Sequence, residues 1–182
     1  MKFFKTKISG VVIVENIPHG DDRGYFMEVY HSEKFKENGI NQLFVQDNYA
    51  KSELGILRGL HYQYKFPQGK LIRCIKGKIL DVAVDLRLKS PTFGQHIAEI
   101  LSSSNYRQLY VPPGFAHGYS VLTETAEVSY KCTDIYHPED EYGILWNDSE
   151  LNIDWKVNSP ALSDKDKKWP KLREIKSFFD ID

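Results

Sequence analysis

Three stretches of this chain set titratable side chains inside runs that are otherwise apolar. Gly55-Ile56-Leu57-Arg58-Gly59-Leu60-His61-Tyr62-Gln63 carries an imidazole, and Lys70 opens the next such run. Val111-Pro112-Pro113-Gly114-Phe115-Ala116-His117-Gly118-Tyr119 carries a second imidazole just after the Pro-Pro-Gly turn. Glu127-Val128-Ser129-Tyr130-Lys131-Cys132 carries a phenol on the parity of Val128 and Cys132. Burying a charge or an imidazole is costly unless something pairs with it. An inward wall studded with such groups therefore implies a polar cavity with a ligand in it. Each group also has a plainer reading: a hydrogen-bonded strand histidine, a turn-stabilising histidine, a core tyrosine whose hydroxyl finds a partner.

The histidine spacing does not suit a metal. His61 is followed two residues later by Gln63, His117 by Tyr119, and His96 stands alone between Gln95 and Ile97, so no paired His ligands arise. Metal-free acid–base chemistry remains. Histidine is the natural base near neutral pH. Tyrosine can serve as an acid from the opposite side, lysine can stabilise an enolate oxygen, and arginine matches a phosphate bidentately. Gathered in one cavity, these groups suit proton abstraction next to a carbonyl on a phosphorylated substrate. One tension stands in this reading: Arg58 has the opposite strand parity to His61, so a shared cavity requires a bulge or a long arginine reach.

The elements that must position these groups read mostly as short strands. Leu80, Val82, Val84 and Leu86 alternate with Asp81, Ala83 and Asp85, the period of a half-buried strand. Leu71, Arg73 and Ile75 alternate with Ile72 and Cys74, and Lys76-Gly77-Lys78 looks like a tight turn, so 70–86 is expected to form a hairpin. Further strands are expected at 11–14, 44–49, 57–64, 96–101, 107–111, 118–122 and 126–133. Ser32 to Gly39 reads as one short helix capped by Ser32, and a second helix is possible near 164–175. Strand–helix alternation and a Gly-rich phosphate loop are absent. The pattern predicts an all-β jelly roll or small barrel with a few short helices, holding a small ligand in its mouth.

The 182 residues fit one domain, with a Lys- and Asp-rich surface segment expected from about residue 164. Lys+Arg 24 against Asp+Glu 25 lacks the basic excess of a nucleic-acid binder. No apolar run reaches the ~18 residues of a membrane helix. Met1-Lys2-Phe3-Phe4 is followed at once by lysines, without a secretory apolar region, and Cys74 and Cys132 belong to no CxxC pair. A cytoplasmic protein with two buried free thiols is expected.

The motifs now stand in order: Asp22-Arg23-Gly24-Tyr25-Phe26-Met27-Glu28, Gln46-Asp47-Asn48, Leu57-Arg58-Gly59-Leu60-His61-Tyr62-Gln63, and Gln68-Gly69-Lys70-Leu71-Ile72-Arg73. Asp81 to Arg87, Ser90-Pro91-Thr92-Phe93-Gly94, Pro113 to Gly118, Gly143-Ile144-Leu145-Trp146-Asn147-Asp148 and Leu162-Ser163-Asp164-Lys165-Asp166 follow. Any one is weak, but the ordered set is specific. From residue 3 to about 175 the chain resembles the dTDP-4-dehydrorhamnose 3,5-epimerases of the cupin superfamily. The resemblance implies a double-stranded β-helix jelly roll, usually a homodimer, with neither metal nor organic cofactor. It implies inversion at C3 and C5 of dTDP-4-dehydro-6-deoxy-D-glucose. By position it makes His61 the base, Asp166 its paired carboxylate, Tyr130 the general acid and Lys70 the residue beside the sugar C4 oxygen. It makes Arg23, Glu28, Gln46, Asn48, Arg58, His117, Glu141 and Lys165 substrate-binding positions. Relatives that epimerise at one carbon share much of the pattern. A non-catalytic sugar-nucleotide-binding module is a different alternative, with no use for the full His61, Lys70, Tyr130 and Asp166 set.

Overall fold

The computed structural model describes residues 1–175 and 178–180. Among the described residues thirteen strands run in chain order. They are β1 (Lys2–Lys5), β2 (Val12–Glu15), β3 (His19–Asp21), β4 (Gly24–Phe26), β5 (Gln46–Glu53), β6 (Leu57–Gln63) and β7 (Lys70–Lys76). Then come β8 (Lys78–Asp85), β9 (His96–Ser102), β10 (Arg107–Val111), β11 (Phe115–Val121), β12 (Thr125–Cys132) and β13 (Glu141–Gly143). A six-stranded sheet has the order β1-β2-β10-β7-β12-β5 and a five-stranded sheet the order β13-β6-β11-β8-β9. Two antiparallel sheets face each other in a cupin-type jelly roll, and β3 and β4 form a separate ribbon.

Strand parity sorts the core into three layers. Between the sheets lie Ile72, Ile79, Ala83, Leu109, Phe115, Val121 and Val128. On the outer face of the five-stranded sheet, Leu80, Val82, Val84 and Leu86 pack against Ile144, Leu151, Trp155, Leu172 and Phe179. On the outer face of the six-stranded sheet, Val12, Val14, Leu71 and Tyr110 pack under Phe35 and Ile40. Phe35 is the buried residue of helix α1 (Ser32–Glu37).

Four expectations change here. The stretch 70–86 is not a hairpin: β7 lies between β10 and β12, whereas β8 lies between β11 and β9 in the other sheet. The chain crosses between sheets at Gly77, which has φ +77°, and a Cβ there would meet the Thr125 carbonyl oxygen at 2.2 Å. Secondly, β8 is buried on both faces and not on one: its alternating carboxylates Asp81 and Asp85 point inward and are fully buried. Asp85 is satisfied by Arg87, Ser90 and Thr92, and Asp81 by His117. Thirdly, His31 and not Ser32 occupies the N-cap of α1, with no side-chain cap bond. Fourthly, 164–175 forms no α-helix but two 3₁₀ turns, Asp166–Lys168 and Leu172–Glu174, each anchored by one buried residue in an otherwise exposed or half-buried segment. Leu172 and Phe179 are buried because they cover an apolar sheet face that would otherwise meet water, and Asp166 is buried against His61 and Trp169.

Candidate active site

Strand β6 carries the central residue. His61 stands opposite His117 of β11, yet Arg58 stands opposite Tyr119. Three residues of β6 thus match two of β11, a bulge that resets parity and turns both Arg58 and His61 inward. Gly59 sits at this bulge with φ +119°, and a Cβ there would lie 2.6 Å from Gly118 Cα. The two backbones touch, and glycine on each strand makes room.

Inside the barrel two cavities share His61, Lys70 and Tyr130. One, of about 280 Å³, is lined further by Gln46, Asn48, Gln63, Gln68, Tyr136 and Glu141. The other, of about 450 Å³, adds Arg58, His117, Ser163, Lys165 and Asp166. The shared residues come from three strands: His61 from β6, Lys70 from β7 and Tyr130 from β12.

Hydrogen bonds fix most of this lining. His61 Nε2–H donates to Asp166 Oδ1 at 2.5 Å, which leaves Nδ1 to take a proton, 3.8 Å from Glu141 Oε1. Glu141 in turn accepts from Lys165 Nζ and from the Tyr136 hydroxyl, the latter at 2.9 Å. His117 Nε2 meets both Asp81 oxygens at 3.0 Å. Arg58 Nε donates to Ser52 Oγ at 3.1 Å. The Gln46 amide donates to Asn48 Oδ1 at 3.0 Å, and the Asn48 amide to Cys132 Sγ at 3.5 Å.

The environment sets the charges. Burial pushes the Tyr130 phenol up to about 12, with Cys132 and Tyr119 nearby adding to the effect. Burial pulls the Lys70 ammonium below its usual value, against the opposing pull of Cys132, Glu141 and Asp81. Burial alone would raise Asp166, but the His61 bond and those from Ser163 and Trp169 hold its carboxyl below the usual range. Glu141 is likewise held low, because Lys165, His61 and Tyr136 outweigh its burial. The site is therefore a neutral phenol and a buried amine around an imidazole backed by an ionised carboxylate.

Of the residues expected here, His61, Lys70, Tyr130, Asp166, Gln46, Asn48, Arg58, His117, Glu141 and Lys165 line these two cavities. Arg23 and Glu28 do not. Arg23 has its side chain 89% exposed and pairs with Asp21, and Glu28 pairs with Lys34 at 2.6 Å. Both belong to the ribbon region, where Tyr25 (60% exposed) and Phe26 (74% exposed) point into solvent. Sequence reasoning misses Tyr136 and Trp169: neither lies in a strand, so no periodicity marks them. Among the described residues, no three His, Cys, Asp or Glu side chains gather as a metal-binding group.

The fold and this lining define a cupin-type sugar-nucleotide epimerase, and comparison with known proteins agrees. The family model described as dTDP-4-dehydrorhamnose 3,5-epimerase matches residues 5–174. The chain is 48% identical to the dTDP-4-dehydrorhamnose 3,5-epimerase of Methanothermobacter thermautotrophicus, over 95% of each chain. It is 51% identical to the Shigella flexneri protein of that name, over 91% of this chain and 93% of the other. A Legionella pneumophila epimerase, solved in complex with dTDP-4-keto-L-rhamnose, superposes with a TM-score of 0.96 at 44% identity, over 100% of this chain and 98% of the other. The chain belongs to the dTDP-4-dehydrorhamnose 3,5-epimerase family.

Proposed function

We propose that this chain converts dTDP-4-dehydro-6-deoxy-D-glucose into dTDP-4-dehydro-L-rhamnose by successive inversion at C3 and C5, for dTDP-L-rhamnose biosynthesis. The observation that carries this reading is the sharing of His61, Lys70 and Tyr130 by both cavities. The 4-keto group acidifies the hydrogens on both neighbouring carbons. His61 Nδ1 takes one of them, the C–H electron pair moves onto O4, and the Lys70 ammonium stabilises the enolate oxygen. Tyr130 then gives its proton to the carbon from the opposite face, and solvent restores both side chains. Asp166 holds the imidazole in one tautomer and steadies its charged form. Gln46, Asn48, Arg58, His117, Glu141 and Lys165 hold the nucleotide sugar. The scheme uses side chains alone.

The working unit in this proposal is a homodimer. Arg23 and Glu28, exposed beside Tyr25 and Phe26, then serve the site of a second copy. A cytoplasmic location fits two buried free cysteines. Among the described residues no helix is long and apolar enough to cross a membrane.

Incubation with the 4-keto sugar nucleotide in D₂O tests the reading. NMR should find deuterium at C3 and C5 of the product. Label at one carbon alone identifies a single-site epimerase, and no label at either identifies a binding protein.

A further inference from the structure

Asp166 Oδ1 receives two donors: His61 Nε2–H at 2.5 Å and the Trp169 indole Nε1–H at 3.2 Å. The indole is held on several sides. Its ring and the His61 imidazole meet edge-to-face, 6.2 Å between centroids. The Lys165 ammonium lies over it at 5.3 Å, and that same ammonium pairs with Glu141, which stands 3.8 Å from His61 Nδ1. Underneath lies Gly143 of β13, directly opposite His61 in the ladder. A Cβ on Gly143 would fall 2.5 Å from the indole Nε1, so glycine leaves the space the ring fills. Just past the indole, the Pro170 carbonyl accepts from the Leu145 backbone N–H at 2.8 Å.

We propose that Trp169 is a positioning residue for the His61–Asp166 pair, its N–H fixing the carboxylate oxygen to which His61 is bound. This rests on the epimerase reading above. Ser163 also donates to this carboxylate, but Trp169 donates to Oδ1, the oxygen that His61 binds, and so opposes rotation about Cβ–Cγ that would exchange the two oxygens. The indole also takes up part of the carboxylate charge. Without it, Asp166 would hold the imidazolium form of His61 more tightly. Other charged or titratable groups act on His61 as well: Arg58 on its own strand, Lys70 on β7, His117 on β11 and Tyr130 on β12. Glu141 on β13 and Lys165 on the C-terminal turn complete the set. A Trp169 substitution that keeps an aromatic ring leaves those groups in place.

Trp169→Phe removes the N–H together with part of the indole that packs over Gly143, whereas Trp169→benzothienylalanine keeps the bicyclic shape and replaces only the N–H by sulfur, so the two variants separate the donor from the packing. The expected result for both is kcat down about tenfold with KM within about twofold, and the acidic limb of kcat/KM moved to higher pH by about half a unit. An unchanged kcat and limb in the folded benzothienylalanine variant would overturn the proposal, leaving Trp169 a packing residue. A second measurement does not depend on turnover. In ¹⁵N-indole-labelled protein the Trp169 signal, assigned by its loss in Trp169→Phe, should shift in Asp166→Asn; no shift overturns the contact. Deuterium wash-in with the wild-type protein, run alongside, reports separately on the epimerase reading.

Discussion

Arg58 and His61 open onto one cavity although they stand three positions apart, with opposite parity, on a single strand. The β6–β11 bulge makes this possible, and it depends on glycine at 59 and 118, where two backbones pass too closely for any Cβ. The Arg58 guanidinium and the His61 imidazole thereby come from one strand segment with a fixed offset.

Removing the base is the first test. His61→Ala should lose about 10²–10⁴ in kcat, the range of a general acid–base group. Its thermal melt should stay close to wild type, because the imidazole is partly exposed to the cavity. Near-normal turnover in a folded His61→Ala protein would refute the assignment.

Tyr130→Phe separates abstraction from return. Its phenol is pushed up to about 12 by burial and so stays protonated through the working range. The phenylalanine variant should still wash deuterium into the substrate at C3 through His61, with retention of configuration. Inverted product should fall by about 10²–10⁴. NMR of the recovered sugar nucleotide reads both. Inversion at the wild-type rate would exclude Tyr130 as the acid.

Asp166→Asn should lower kcat by at least about 10² through loss of the correct tautomer. The carboxyl is held below its ordinary value in the folded protein. Its contribution to stability is therefore present above about pH 4, the unfolded value, and is lost as pH falls through the folded one. Urea melts should show wild type losing stability between pH 5 and acid more steeply than Asp166→Asn.

Lys70 has the opposite character. Burial lowers its pKa, so the charged ammonium weakens the fold below the folded value. This penalty fades as pH rises towards the unfolded value of about 10.4. Lys70→Met should raise Tm by about 2–4 °C at neutral pH, with the gap closing in strong alkali, while kcat falls. A lower Tm would mean that its neighbours, not its burial, dominate.

The dimer proposal makes a mixing prediction. Arg23→Ala should raise KM at least about tenfold with little change in kcat, as loss of a charge-assisted phosphate contact does. Co-refolded with His61→Ala, it should regain the wild-type KM, because a hybrid holds one site with both residues intact. No recovery in a proven heterodimer would place Arg23 outside the site.

Much of this was legible in the residues, and the exceptions have physical causes. Alternation marks β8 correctly, yet it cannot say that both faces are covered, since Asp81 and Asp85 look like solvent-facing residues until His117 and Arg87 are seen against them. The turn at Gly77 is real, but local sequence does not tell a hairpin from a passage between sheets; β10 and β12, distant in the chain, take the places beside β7. Parity warned that Arg58 and His61 needed a bulge and could not supply it. Trp169 meets Asp166 three positions on across a 3₁₀ turn; a helical spacing allows that contact, but nothing in the residue types marks the indole as a donor to this carboxylate.

Asp166 reaches His61 from a segment 105 residues further along the chain, after every strand of the barrel is in place. During synthesis, then, a nascent chain can complete both sheets while Lys165 and Asp166 are still to come and its imidazole is unaligned. The pairing of imidazole and carboxylate comes last, delivered by the same stretch that covers the outer face of the five-stranded sheet.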